Sequence, residues 1–269
     1  MKSSRRLSED GTKLLTTYQL SPFYFDRTGV PNIWTLAQLI SYSRPEQSDV
    51  FSIPGLLETV SVFSRYQEFY LYPEFYTKVK YNSAVEVVSE IGYVGKTSYI
   101  CKGDVRLAKT QDLLCRQSCQ LIHVDISTRQ PTALPQNLRR RTKGPRPTYS
   151  LPIPPDTPPM YSCKCTVGES DIDENGHTNQ SVYVRLCSDT AAFGTKAGRY
   201  TSLSGYVLKY PVKKIAMLFQ REALSGDVLE VQSWEILSKP VSLLFQVKRG
   251  EDDIVRCLFE FYEQEKAKL

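Results

Sequence analysis

Apolar residues recur at helical spacing in two places along the chain. The first set builds one face of a predicted helix: Ile33, Trp34, Leu36, Ala37, Leu39 and Ile40. The second set builds a weaker face: Val182, Leu186 and Phe193. Each set follows an asparagine, Asn32 or Asn179, a residue type suited to capping a helix N-terminus. The pattern therefore predicts two helices, each entered from a turn.

Alternating residues surround both helices and predict strands. Residues 17–21 alternate before the first helix, and residues 161–167 alternate before the second. Runs rich in Val, Tyr and Phe follow each helix, and residues 85–90 align with residues 229–234 at an offset of 144. The chain is therefore predicted to contain two copies of one unit, each made of a strand, a helix and then about four antiparallel strands.

The turn before each helix has the same frame in both copies. Residues 26–32 and 173–179 carry Asp, Gly and Asn at the same three positions, 147 residues apart. Only the second segment has an asparagine and a histidine inside this frame, Asn175 and His177, where the first has threonine and valine. This asymmetry predicts one functional site in the chain, located in its C-terminal half.

Length and proline content set the predicted boundaries. The 269 residues, 41% of them apolar, suit two globular domains, at 12–138 and 161–266. The segment 139–160 between them holds seven of the 16 prolines, which favours an extended linker. Its first part is basic and contains Arg139, Arg140 and Arg141. This cluster is either a solvated connector or a docking surface for an acidic partner, and no nucleic-acid-binding motif accompanies it.

Several other classes of protein do not fit the sequence. No apolar run is long enough for a membrane span, and no secretory signal is recognisable, so a cytoplasmic location is expected. The seven cysteines are scattered and form no CxxC pair, which is typical of reduced thiols. Two isolated histidines do not suggest a zinc site, and a serine-hydrolase GxSxG elbow is absent.

The second copy resembles the catalytic segment of the acyl-ACP thioesterases, which are tandem hotdog-fold enzymes. Residues 173–179, the helix after them and residues 218–227 carry this resemblance. It implies an α+β fold of two tandem hotdog units, each an antiparallel sheet wrapped around one long helix. It also implies a thioesterase that uses no cofactor or metal and carries this catalytic set: Asp173, Asn175, His177 and Glu222. The chain departs from many members at Ala223, where they have cysteine.

Thioester hydrolysis needs an activated water and a place for negative charge on the carbonyl oxygen. A loop that leads into a helix N-terminus suits that oxygen, because the N–H groups and the helix dipole are positive there. We expect Asn175 and His177 to lean into one cleft, Glu222 on a neighbouring strand to take a proton from water, and Asp173 to orient its neighbours. The offset of 144 places Lys78 at the position of the first copy that corresponds to Glu222, so the first copy has a lysine there and not an acid.

The resemblance further implies that the acyl chain enters the N-terminal half, lined there by Ile33, Trp34, Ala37 and Ile40. The expected partners are an acyl thioester substrate and, as a candidate, an acyl carrier protein that binds Arg139, Arg140 and Arg141. The protein is expected to be a monomer or a homodimer. Two alternatives remain open: a non-catalytic acyl-thioester-binding protein, and a hotdog hydratase or dehydratase.

Overall fold

Residues 3–44, 60–125, 127–134, 136, 147–236 and 241–263 are described by the structure, a computed structural model. The chain divides into two compact units, Met1–Tyr149 and Ser150–Leu269. This division lies inside the predicted linker 139–160, and most of the basic part of that linker, including Arg139, Arg140 and Arg141, lies outside the described residues.

The described part of the first unit is an antiparallel sheet with the helices α1 (Ile33–Tyr42) and α2 (Pro73–Lys78). Its strands are β1 (Ser3–Leu7), β2 (Lys13–Gln19), β3 (Val60–Leu71), β4 (Ala84–Val94), β5 (Ser98–Leu107) and β6 (Leu113–Asp125). The strands pair in the order β1-β2-β4-β5-β6-β3. Alternate residues of β4 are buried, as the two-residue repeat of a strand requires when one face covers a core.

The second unit has five described strands and one described long helix. The helix is α3 (Gln180–Lys196). The strands are β7 (Tyr161–Thr166), β8 (Val212–Phe219), β9 (Val228–Glu235), β10 (Ser242–Arg249) and β11 (Asp252–Phe261). They pair antiparallel in the order β7-β9-β10-β11-β8, and α3 packs against β7, β9 and β10.

Both sheets follow one chain order when β1 is set aside. In each, the first strand leads to a helix, and the strand after that helix lies at the far edge of the sheet from the first. The predicted class, α+β with antiparallel sheets and few helices, is confirmed. The first unit begins earlier than the predicted residue 12, because the five residues of β1 pair with β2.

Three local predictions differ from the structure. Val182 and Leu186 are buried as predicted, but Phe193 is 52% exposed, because the buried face of α3 continues through Cys187 and Ala191. Glu222 lies in the loop after β8, since that strand ends at Phe219. Asn32 precedes α1 but its side chain makes no capping hydrogen bond, although it occupies the capping position.

Candidate functional site

The candidate site is built around residues 173–179, called here the second loop. The Asp173 amide donates to the His177 carbonyl at 3.0 Å, and Gly176 donates to the Asp173 carbonyl at 3.0 Å. Gly176 has a φ of +79°, a left-handed conformation that glycine adopts without steric cost. The loop is therefore a tight, internally bonded turn that leads directly into α3.

Residues 26–32, called here the first loop, fold in the same way. The Asp26 amide donates to the Val30 carbonyl at 2.8 Å, and Gly29 donates to the Asp26 carbonyl at 3.1 Å. Gly29 also has a φ of +79°. The shared Asp and Gly positions thus specify the backbone of both loops, and the loops differ in the side chains they carry.

Two polar side chains of the second loop lie beside each other. His177 Nδ1 is 3.6 Å from Asp173 Oδ1, longer than a hydrogen bond but within ion-pair range, and both side chains are about 15% exposed. Asp173 Oδ1 also accepts a hydrogen bond from the backbone amide of Asn175 at 2.9 Å. Asn175 is an exposed residue. Asp173 is therefore engaged with its own loop and can orient the imidazole of His177.

Hydrogen bonds connect the second loop to the segment that contains Glu222. Thr178 donates twice to the carbonyl of Ala223, from its amide at 2.9 Å and from its hydroxyl at 2.8 Å. Arg249 donates to the carbonyl of Glu222 at 3.4 Å and pairs with Asp227 at 2.7 Å. These bonds hold the backbone of residues 222–223 against the loop that carries His177.

In the first loop, Pro31 cannot make the hydrogen bonds that Thr178 makes in the second. Proline occupies the position that corresponds to Thr178, and it has neither an amide hydrogen nor a hydroxyl to donate. Lys78, predicted to stand in the place of the acid, ends α2 and pairs with Asp112 at 2.7 Å. The first loop thus differs from the second in two respects: Pro31 cannot make the two hydrogen bonds that Thr178 makes, called here the tether, and the polar side chains of the second loop are replaced.

The second loop ends at a capped helix. Asn179 Oδ1 accepts hydrogen bonds from the amide and the hydroxyl of Ser181, at 2.9 and 2.7 Å. Because the N-terminal end of a helix carries a partial positive charge, the start of α3 favours a developing negative charge nearby. The sequence prediction that this loop opens a helix at Asn179 is confirmed.

Tyr183 is a residue of this region that the sequence analysis missed. It is 2% exposed and lies on the first turn of α3, with its hydroxyl in hydrogen-bonding reach of the Thr178 side chain and the Ala223 backbone. Burial raises its pKa, so the hydroxyl stays protonated and can donate. In the sequence, Tyr183 could have been noticed because it lies four residues after the capping Asn179. Only the fold shows which residues its hydroxyl faces.

The cysteines of β7 and α3 do not provide an activated nucleophile. Burial raises the pKa of Cys165 to about 11, and it also raises the pKa of Cys163 and Cys187. These thiols therefore remain protonated near neutral pH, and a thiol is a far weaker nucleophile than a thiolate.

The predicted acyl-chain residues all lie on α1. Ala37 and Ile40 are buried, and Ile33 and Trp34 are partly buried. A cavity of about 20 Å³ borders the same helix, and it is lined there by Asn32, Thr35, Leu36 and Leu39 rather than by the four predicted residues. This volume holds about one water molecule, so an acyl chain would enter only if side chains move.

Two general features of the described residues complete the picture. No cluster of three or more His, Cys, Asp or Glu among the described residues is arranged to hold a metal ion. Within the same residues, no helix has the length and apolar character needed to cross a membrane.

Comparison with known proteins identifies the fold. No protein-family model matches the sequence, and no curated protein sequence matches it significantly. An acyl-ACP thioesterase from Bacteroides thetaiotaomicron superposes with a TM-score of 0.74 at 17% identity, covering 95% of this chain and all of the other. The 12:0-ACP thioesterase from Umbellularia californica also gives 0.74, at 14% identity and 94% of each chain.

A second class of enzyme shares this fold more distantly. A MaoC-like dehydratase from Phytophthora capsici superposes with a TM-score of 0.57 at 11% identity, covering 94% of this chain and 97% of the other. The higher scores belong to the thioesterases, as the resemblance in the sequence implied. At these identities the match establishes architecture, and the chain has the hotdog fold of the acyl-ACP thioesterases.

Proposed function

We propose that the protein is a thioesterase that hydrolyses fatty acyl thioesters to free fatty acids at the second loop. The observation that carries this proposal is the pair of hydrogen bonds from Thr178 to the Ala223 carbonyl. They join the loop of His177 to the segment of Glu222, so an acid and an imidazole come from separate parts of the chain to one region. Such convergence is typical of a catalytic site.

Each polar residue has a distinct role in the proposed reaction. Glu222 takes a proton from the attacking water: the residue is partly exposed, and Arg249 bonds to its backbone carbonyl. His177 and Asn175, with the positive end of α3, stabilise negative charge on the thioester oxygen. Asp173 orients His177: its Oδ1 lies 3.6 Å from His177 Nδ1 and is itself held by a hydrogen bond from the backbone amide of Asn175.

The two units divide the work in this proposal. They are tandem hotdog copies, each with a sheet around one helix, and the shared strand order and paired loops support this interpretation. The second copy performs the chemistry. The first copy binds the acyl chain along α1 after side chains move, because Ala37 and Ile40 are buried and Ile33 and Trp34 are only partly exposed.

The carrier of the acyl group is proposed to be an acyl carrier protein or coenzyme A. Both carriers are anionic, and Arg139, Arg140 and Arg141 offer a matching positive charge in the sequence. This assignment rests on charge complementarity alone.

A dehydratase is the second candidate function, favoured by the fold match to the MaoC-like enzyme. A third candidate is a protein that binds acyl thioesters without reaction. Incubating the purified protein with acyl-ACP and acyl-CoA and following free thiol with a thiol reagent separates the three. Catalytic thiol release supports the hydrolase. Gain of enoyl absorbance from a 3-hydroxyacyl thioester without thiol release would indicate the dehydratase. Thermal stabilisation without either reaction would indicate a binding protein.

A further inference from the structure

Several buried polar side chains of the first unit are without hydrogen-bond partners. Gln67, Ser89 and Gln117 are at most 2% exposed, and Thr16 is 0% exposed. Within the part of the chain that the structure describes, neither amide atom of either glutamine and neither hydroxyl has a partner. A buried polar group that is left unsatisfied destabilises the fold, so several of them on one face indicate that something else satisfies them.

These four residues, called here the polar patch, lie on one face of the sheet. Ser89 pairs with Gly103, which pairs with Gln117, and these three form one row across β4, β5 and β6. Thr16 belongs to the next row in one direction and Gln67 to the next row in the other. Adjacent rows of one face are about 7 Å apart along a strand, so Gln67, Ser89 and Gln117 surround Gly103, while Thr16 lies on the same face but on β2, four strands away from Gln67.

Gly103 leaves the centre of the polar patch without a side chain. A Cβ at this position would collide with the carbonyl oxygen of Val88, so the close approach of β4 requires glycine. The space between Ser89 and Gln117 is consequently not covered by a residue from β5.

The corresponding row of the second unit is filled and satisfied. There, Ser233 pairs with Phe245, which pairs with Cys257, and all three are 0% exposed. The Ser233 hydroxyl bonds to the hydroxyl of Tyr200 at 2.7 Å and to the carbonyl of Tyr161 at 2.9 Å. The same sheet geometry thus carries a phenylalanine and a bonded serine in one unit, and a glycine and an unbonded serine in the other.

The cavity of the first unit lies against the same face of the sheet, and none of the four residues of the polar patch lines it. Val105 lines that cavity and lies in the same row as Thr16. The surroundings are apolar, with Leu14 and Phe69 at the two ends of the row that contains Ser89. A ligand that reaches this face when side chains move is therefore mainly hydrocarbon, with one polar group placed where the glutamines can reach it.

We propose that the polar patch binds a neutral oxygen group on the acyl chain, so the substrate is a hydroxy- or oxo-acyl thioester rather than a plain fatty acyl thioester. The four side chains are uncharged and offer both donors and acceptors, which suits a hydroxyl or a keto oxygen and does not suit an ion. This inference rests on the proposed thioesterase function and specifies its substrate class.

The test uses acyl-N-acetylcysteamine thioesters of one chain length, with a hydroxyl or a keto group at successive carbons, and the plain chain for comparison. The native protein should hydrolyse one positional isomer with a kcat/KM roughly 10- to 100-fold above that of the plain chain. The hydroxyl and keto series distinguish the two oxygen groups. The variants Q67L, Q117L and Q67L/Q117L should lose this preference.

A matched control is available on the same strand. Gln120 lies on the opposite face of β6, so Q120L makes the same chemical change outside the polar patch and should keep the preference. If the double variant does not fold, the single variants carry the test. Equal hydrolysis of all chains by the native protein, or an unchanged preference in the variants, would overturn the proposal and leave the polar patch as a site for water only.

A second measurement separates this inference from the thioesterase proposal. Non-hydrolysable amide analogues of the same hydroxy, keto and plain chains are added, and the thermal unfolding midpoint is recorded. An oxygenated analogue should raise the Tm of the native protein more than the plain analogue does, and Q67L/Q117L should abolish that difference. This result supports the polar patch even if no thioester is hydrolysed, and the absence of any difference contradicts it.

Discussion

The first and second loops have one backbone and two different sets of side chains. Both loops close on an aspartate and a glycine whose φ is +79°, and each leads into a helix. At the next positions the first loop has Val30 and Pro31, whereas the second has His177 and Thr178. The comparison teaches that the turn itself belongs to the fold, and that the substitutions inside it identify the candidate chemistry.

The largest expected effect comes from the polar groups found only in the second loop. H177A and N175A should each lower kcat by about 10²–10⁴-fold, the range for loss of an acid–base or charge-stabilising group. Steady-state thiol release measures this effect, and circular dichroism confirms folding. T28A and V30A, the matched changes in the first loop, should leave kcat unchanged. A folded H177A protein with native turnover would remove the site from this loop.

The next effect distinguishes the two carboxylates of the proposed site, Glu222 and Asp173. E222Q should lower kcat by roughly 10²-fold, because it removes the proposed base, whereas D173N should have a smaller effect because it changes only the orientation of the imidazole. The two variants are compared in single-turnover assays, so that product release does not mask the chemical step. A larger loss in D173N than in E222Q would exchange the two assignments.

The tether between loop and acid gives a third, smaller effect. T178V removes the hydroxyl donor to the Ala223 carbonyl but keeps the amide donor and the side-chain shape. We expect a loss of about 1 kcal/mol in the free energy of unfolding and a fall in kcat with little change in KM, since Glu222 is less well held. Urea unfolding and steady-state kinetics measure the two quantities. A change confined to stability would show that the tether does not position Glu222.

The smallest expected effect concerns the arginines of the predicted linker 139–160. Changing Arg139, Arg140 and Arg141 to glutamine should raise KM for acyl-ACP several-fold and leave kcat unchanged, because remote charge acts on encounter. Added salt should reduce the difference between native and variant protein, since exposed charges are screened over ~8 Å. An acyl-N-acetylcysteamine substrate, which is neutral, is the control. Equal losses on both substrates would exclude a docking role.

Local features of this fold were predictable from the sequence. The turn at residues 173–179 and the helix after Asn179 follow from residue types that act within a few positions of one another. The asymmetry between the loops was visible because both copies lie in one chain. The Thr178–Ala223 bonds were not predictable, because they join residues 45 positions apart whose proximity depends on the packed sheet.

The exposed Phe193 and the polar patch were missed for the same kind of reason. A weak apolar repeat in α3 placed Val182 and Leu186 correctly in the buried part of the helix but did not show that Phe193 lies outside it. Likewise Gln67 and Gln117 are 50 positions apart, and only the strand register shows that they share a buried face. Tertiary pairing supplies what local patterns lack.

The central claim is that the second loop is catalytic and the first is not. The most direct test exchanges His177 and Val30 between the two loops. H177V gives the second loop the valine of the first, and the double variant H177V/V30H moves the histidine to the first loop. We predict that thiol release from an acyl thioester falls about 10²-fold or more in H177V and does not recover in the double variant, because Pro31 and Lys78 provide neither the tether nor the acid. Native turnover by folded H177V, or recovery in the double variant, would contradict the account.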